Sequence, residues 1–467
     1  MTMRYISTRG RVEPASFEDV LFSGLAADGG LFVPESWPRL DRDRLAELQT
    51  ASYQELAAFV LEPFVDGALD DVELRELIDG AYGSFRHQAI APVKQLGAAQ
   101  WVMELFHGPT HAFKDVALQL LGLLFEHFLA RRDGTITIVG ATSGDTGSAA
   151  IATTAGRAHM RTVILHPKDR VSEIQRRQMT TVEAANIHNV AIEGTFDDCQ
   201  ALVKAMFGDA AFRRRQNLSA INSINWGRIM AQIVYYVTAS LALGGPWRKL
   251  RFCVPSGNFG NVYAGYVAAR MGLPVEQLIV ATNRNDILTR FFETGTYQAG
   301  DVAPTISPSM DIQVSSNFER LLFDLCDRDG ARLQELMAGF AEEKILRVSD
   351  DALGRARELF SACRVDEDRT LFTMREVLET TGEMVDPHTA VGLAAAKDAS
   401  PEGEAPIVTL ATAHPAKFPE AFERSTGRPP LMPPDLEALM SKPERLTVLP
   451  NDLAAVQAHI DHLPIAN

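Results

Sequence analysis

The chain has 467 residues, which exceeds what one small core accommodates, so two or three domains are expected. Apolar residues at 46% and charged residues at 22% belong to an ordinary soluble globular protein. The net charge of −15, from 60 acidic against 45 basic residues, excludes a general nucleic-acid binder but leaves room for a local basic pocket. Cys199, Cys253, Cys326 and Cys363 are widely spaced with no CxxC pair, the pattern of small buried hydrophobes in a reducing compartment. The N-terminus lacks the apolar core of a signal peptide, and no apolar run approaches the ~20 residues that span a bilayer. A cytoplasmic protein is expected.

In chain order, residues 1 to about 95 read as a mainly helical N-terminal module, with helices over 17–25 and 45–61 and a turn at Gly29–Pro34. From about residue 96 the character changes. Apolar, β-rich runs appear at 135–139, 162–165, 190–192, 250–254, 278–281 and 406–411, separated by helical patterns. Strands apolar on both faces that alternate with helices indicate parallel sheets covered on both sides. The expected fold is therefore α/β: two three-layer α/β/α units plus the N-terminal module. Expected boundaries are 1–95, then 96–398 with a smaller α/β domain inserted at about 130–240, then 399–467 completing the large domain. Segments 399–406 and 426–434 read as linkers.

The segment Glu104-Leu-Phe-His-Gly-Pro-Thr-His-Ala-Phe-Lys-Asp115 places Lys114 where a loop enters an apolar helix. Gly108 and Pro109 forbid continuous helix before it. A lysine so placed is easily desolvated, which lowers its pKa and frees the amine to form an imine with an aldehyde. Read alone, it is equally an ordinary solvated lysine at a helix start. His107 and His111 share the spacing of helical zinc ligands, but the helix breakers between them and the lack of a second cluster make a metal site unexpected.

Two strands end in glycine-rich turns that open helices: Val139-Gly-Ala-Thr-Ser-Gly-Asp-Thr-Gly-Ser148 and Val254-Pro-Ser-Gly-Asn-Phe-Gly-Asn261. Glycines let backbone approach a ligand, and the helix behind offers free N–H groups to an anion. Neither turn has Walker or dinucleotide spacing. Each alone fits a plain tight connection. Asn222-Ser-Ile-Asn-Trp-Gly-Arg228 puts hydrogen-bonding side chains and an arginine fork at a helix start, either to grip phosphate or carboxylate or simply to cap the helix. Thr412 stands at the end of the last strand, in Thr409-Leu-Ala-Thr-Ala-His-Pro-Ala-Lys-Phe418.

Together, His-Gly-Pro-Thr…Phe-Lys-Asp, Thr-Ser-Gly-Asp-Thr-Gly, Ser-Gly-Asn-Phe-Gly-Asn and Thr-Ala-His-Pro-Ala-Lys-Phe resemble the threonine synthase family, pyridoxal-phosphate (PLP) enzymes of the tryptophan-synthase-β-like fold type II. The resemblance runs from Arg4-Tyr-Ile-Ser-Thr-Arg-Gly10 to Phe418, and the N-terminal module is similar to that of the longer subgroup. It implies that Lys114 holds PLP, that Gly257, Asn258, Phe259, Gly260 and Asn261 cradle its phosphate, and that the Thr412 hydroxyl faces its pyridine nitrogen. By the same resemblance Asp145 bonds the ring hydroxyl. Thr142, Ser143 and Thr146 then hold the substrate carboxylate or phosphate, and Asn222, Ser223, Asn225 and Arg228 the substrate phosphate. His111, where the family often has an apolar residue, carries no implied role.

The reaction implied is conversion of O-phospho-L-homoserine and water to L-threonine and phosphate, a β,γ-replacement that ends threonine biosynthesis. Its partner is that small molecule, with no nucleic acid or membrane, in a monomer or homodimer. Two alternatives share the motifs: a phospho-lyase that releases 2-oxobutyrate, and a non-catalytic protein on the same fold.

Overall fold

The computed structural model describes residues 2–142, 144–399 and 405–464. By internal contacts the chain forms two units, one from residues up to His107 with Ser223–Pro430, the other from Gly108–Asn222 with the chain from Leu431 onward. This grouping differs from the boundaries expected above at both ends. The first ninety-five residues are part of the first unit, and the C-terminal segment belongs with the second.

The first unit is built on a six-stranded sheet in the order Phe360–Arg364, Val275–Thr282, Leu250–Pro255, Ile407–Ala411, Gln100–Glu104, Val93–Gln95. Its strands are parallel except for the last pair, which is antiparallel. The two central strands are buried along their whole length, the reason their sequences read apolar without alternation. Alternation still decides which face each residue serves. Cys253, Ile279, Ala281 and Ile407 pack on Val391, Ala394 and Ala395 of helix Pro387–Asp398. Phe252 and Leu278 turn the other way, toward Tyr236 of helix Trp226–Ala242 and Gly265 of helix Gly260–Arg270.

The N-terminal segment packs onto the start of helix Trp226–Ala242. Strands Tyr5–Ser7 and Phe32–Pro34 pair antiparallel. Tyr5, Phe64 and Trp37 surround the Trp226 ring at centroid distances of 6.0, 5.7 and 6.3 Å. The single helix expected over 45–61 is two, Arg42–Glu47 and Tyr53–Val65. The break follows from local chemistry: the Ser52 hydroxyl accepts from Glu55 N–H while the Glu55 carboxylate accepts from Ser52 N–H, a reciprocal cap that starts a new helix.

The second unit has a five-stranded, wholly parallel sheet in the order Thr447–Pro450, Ile187–Glu193, Met160–Pro167, Ile136–Ala141, Leu218–Ser219. Val163, Leu165, Val190 and Ile192 face helix Phe196–Gly208 and helix Leu453–His462. Ile164 alternates to the opposite face, against Ile151 and Met179. The C-terminal segment joins this unit because it supplies an edge strand, Val456 and Ile460 to one core, and an ion-pair anchor. Arg176 donates to both oxygens of Glu444 at 2.8 and 3.0 Å, and Thr180 adds a third bond at 2.7 Å. Among the described residues, no helix is long and apolar enough to cross a membrane.

The bonds from Arg176, ahead of those from Thr180, hold the Glu444 carboxyl down to about 2. A folded-state pKa below the unfolded one stabilises above the unfolded pKa and is lost as the folded form takes up its proton. Glu444→Gln is therefore expected to lower the urea midpoint at pH 7. The gap to the parent should narrow as pH falls below about 4.5 toward about 2. A gap that is constant across this range would show that Glu444 contributes no linked charge.

Candidate active site

In the first unit the strand Leu250–Pro255 ends in Ser256, and Gly257 to Asn261 lead into helix Gly260–Arg270. The loop carbonyls are already taken. Gly257 C=O accepts from Ser315 Oγ at 2.6 Å, and Asn258 C=O accepts from Asn317 N–H at 3.1 Å and Asn317 Nδ2 at 3.0 Å. A trans peptide points its N–H opposite its C=O, so the N–H groups of Asn258 and Phe259 face away from residues 315–317. Phe259 adopts the left-handed conformation at φ 62°, which curls the loop. No N–H of residues 257–261 donates to a protein acceptor among the described residues. Five successive free N–H groups at a helix start form an anion cradle. Gly257 is required by space: a Cβ there would lie 2.8 Å from Ser309 C=O. The Asn261 side chain adds a buried Nδ2 with no acceptor.

The neighbouring segment is pinned to this loop, since Asn317 Nδ2 also donates to Ser223 C=O at 3.1 Å. Asn225 is the helix cap: its Oδ1 accepts from Gly227 N–H at 2.9 Å and its Nδ2 donates to Leu21 C=O at 2.7 Å. Its amide is thus engaged at both ends, as a helix cap tied to the N-terminal segment. Arg228 differs. It is 4% exposed, it has no carboxylate partner among the described residues, and its Nε lacks an acceptor. Burial alone pulls its guanidinium down to about 10. The solvated arginine that a plain helix start would carry is not what is found. Asn222, half-buried, has an Oδ1 without a donor.

Thr412 directly follows strand Ile407–Ala411, is buried, and its hydroxyl makes no hydrogen bond among the described residues. His414 caps the next turn by accepting from Ala416 N–H at 3.1 Å.

In the second unit Lys114 is the first residue of helix Lys114–Arg132 and only 9% exposed. Its loop is built on Asp115, whose carboxylate accepts from Thr110 N–H at 2.7 Å and Thr110 Oγ1 at 2.8 Å. Gly108 leaves room for that carboxylate, since a Cβ would lie 2.4 Å from Asp115 Cβ. Two further side chains hold the loop: Gln178 Nε2 donates to Thr110 C=O at 3.0 Å, and His111 Nε2 lies 2.7 Å from Asp435 Oδ2. His111 has φ 57°, so this contact sits at a strained turn three residues before Lys114.

Lys114 Nζ is 3.6 Å from Asp145 Oδ2, and Gln175 Nε2 donates to Asp145 Oδ1 at 2.8 Å. Asp145 begins helix Asp145–Thr154. Thr142 is buried, and its Oγ1 donates to Gly144 C=O and accepts from Gly144 N–H at 3.0 Å and Gly147 N–H at 2.9 Å. With these bonds its hydroxyl shapes the turn. Thr146 is half-buried and its hydroxyl has no hydrogen bond among the described residues; Ser143 lies outside them.

These groups fit PLP on their own chemistry: a cradle of free N–H groups for a phosphate monoester, a buried amine for an aldehyde, and an uncharged hydroxyl for a weakly basic ring nitrogen. Comparison with known proteins gives the same direction. The family model described as "Threonine synthase N terminus" matches residues 4–82, "Pyridoxal-phosphate dependent enzyme" residues 87–413, and "Threonine synthase, C-terminal" residues 389–460. The chain belongs to the threonine synthase family. PLP is its cofactor.

A threonine synthase from Pseudomonas aeruginosa is 53% identical over 459 residues, covering 98% of each chain. The crystal structure of PLP-bound threonine synthase from Brucella melitensis superposes with a TM-score of 0.97 at 49% identity, covering 99% of each chain. That of yeast threonine synthase has a TM-score of 0.95 at 38% identity over 98% of each chain.

Several residues that hydrogen-bond to these groups carry no local sequence signal. Ser315, Asn317, Gln175 and the helix-borne Tyr235 and Tyr236 read as ordinary polar or core positions. Only proximity in the fold marks them.

Gly257→Ala is expected to weaken PLP binding by at least about tenfold, because the loop must move off Ser309 and its N–H groups lose their common direction. Equilibrium dialysis of the variant checks this. Unchanged affinity would remove the loop from the cofactor site.

Proposed function

We propose that the chain is a threonine synthase that converts O-phospho-L-homoserine and water to L-threonine and phosphate. The observation that carries this reading is Arg228, a buried guanidinium with no carboxylate partner among the described residues, in the same unit as a separate cradle of free N–H groups. An enzyme whose substrate lacked a phosphate would need only the cradle. A phosphorylated substrate needs a second anion site, and an uncompensated arginine is one.

Bound PLP supplies the electron sink that makes the substrate's Cα–H and Cβ–H bonds acidic. Lys114 would hold the cofactor through its amine, and the same amine, when free, would serve as base at the substrate's Cα. The same amine, or a water it orders, moves the later protons at Cβ and Cγ. Asp145, fixed by Gln175, stands 3.6 Å from Lys114 Nζ and orients the amine. The Thr412 hydroxyl would face the ring nitrogen and brings no charge to hold that nitrogen protonated. Gly257 to Asn261 retain the cofactor phosphate through N–H donors.

Arg228, with Asn222 and Ser223, holds the substrate phosphate and stabilises the charge that grows on it as the Cγ–O bond breaks. Ser143 and Thr146 take the substrate carboxylate. Water then adds at Cβ. The four free cysteines fit a reducing, cytoplasmic compartment.

Incubation of the PLP-loaded enzyme with O-phospho-L-homoserine should yield threonine and inorganic phosphate in equal amounts. 2-Oxobutyrate and ammonia in place of threonine would make the protein a phospho-lyase and overturn the reading. Lys114→Ala should abolish turnover and the visible absorption band of the bound cofactor. Full activity in that variant would remove Lys114 from the chemistry.

A further inference from the structure

Helix Trp226–Ala242 does more than present Arg228. Two turns further along it lie Tyr235 and Tyr236, both fully buried. Tyr235 Oη donates to Asn261 Oδ1 at 2.6 Å. Tyr236 Oη lies 3.1 Å from the same oxygen and 2.9 Å from the Asn261 backbone carbonyl. Burial raises both phenols well above 10, so both remain neutral donors at any working pH. The Tyr236 ring reaches this position because residue 265 is glycine: a Cβ there would lie 2.8 Å from the ring.

The Tyr235 donation fixes which way the amide faces, and the single Tyr236 proton, shared between the Asn261 backbone carbonyl and Oδ1, holds the same residue in place. Asn261 Nδ2 is then directed away from the tyrosines, and it is buried with no acceptor among the described residues. An unmet buried amide donor costs free energy, and only an arriving acceptor removes that cost. Asn261 closes the run of free N–H groups that begins at Gly257. We propose that Tyr235 and Tyr236 are positioning residues that lock the Asn261 amide so its Nδ2 serves as a further donor to the cofactor phosphate. This rests on residues 257–261 being the phosphate loop. The tyrosines touch neither cofactor nor substrate; they act through Asn261.

The test uses Tyr235→Phe and Tyr236→Phe, singly and together, in the PLP-loaded full-length enzyme. Each keeps its ring, so the packing survives the loss of the hydroxyl. The expected result is weaker PLP binding in the double variant, by about tenfold, the size of one hydrogen bond to a charged group. The phosphorus NMR signal of the bound cofactor should also move, which a helix-packing role would leave in place. In an Asn261→Ala background, itself weakened by a similar factor, removing the hydroxyls should cause no further loss. Tyrosine effects that add in full to the Asn261→Ala effect, or tyrosine variants with unchanged affinity and signal, would overturn the proposal. If Asn261→Ala alone leaves both readouts unchanged, the proposal fails; the phosphate-loop reading, which rests on backbone N–H groups, fails instead if Gly257→Ala leaves PLP affinity unchanged.

Discussion

The first unit is organised around a positive charge that the protein does not neutralise. A guanidinium taken out of water without a partner carries a penalty of several kcal/mol even after relaxation. Arg228 stays in that state on a helix whose start is fixed by the Asn225 cap and by the packing of Tyr5, Trp37 and Phe64 on Trp226. An arginine out of water binds an anion more strongly than a wet one.

The cradle at Gly257–Asn261 follows the same logic with dipoles in place of a formal charge. Ser315 and Asn317 take its carbonyls, which turns its N–H groups toward a ligand before any ligand arrives. Asn317 also bonds Ser223, so the start of the arginine segment and the cradle share one anchor. Arg320 extends that anchor, donating to Asn317 Oδ1 and to Ile224 C=O. Two elements with unengaged donors are thus built on a single polar hub, and preorganised donors are the kind that act in catalysis without a cost at the moment of reaction. The second unit holds an amine, Lys114, whose loop is fixed by Asp115, Gln178 and His111.

Much of this was legible in the sequence because the chemistry is local. Gly108, Pro109 and Lys114 announce a loop lysine, and the strand–glycine–helix runs at 139–148 and 254–261 announce anion turns. Apolar strands without alternation announced parallel sheets covered on both faces. What could not be read is what comes from far along the chain. Ser315 and Asn317 sit in a plain polar stretch, and their bonds to Gly257 and Asn258 span nearly sixty positions. The division of Thr142 and Asn225 from Arg228 was hidden for a related reason. All are polar residues at helix starts, and only the structure shows that two use their hydrogen bonds internally and one does not. The pairing of strand Thr447–Pro450 with Ile187–Glu193 was equally silent, since a four-residue edge strand has no periodicity to detect.

The central claim is that Arg228 and the cradle bind two different phosphates. Arg228→Gln separates them, because glutamine keeps hydrogen-bonding capacity and removes the charge. Steady-state kinetics with O-phospho-L-homoserine and a PLP titration on this variant measure the two sites side by side. The expected result is a KM raised by about a hundredfold, as for a lost charge-assisted contact, with the PLP dissociation constant unchanged. An unchanged KM, or a loss that falls on PLP binding instead, would contradict the account.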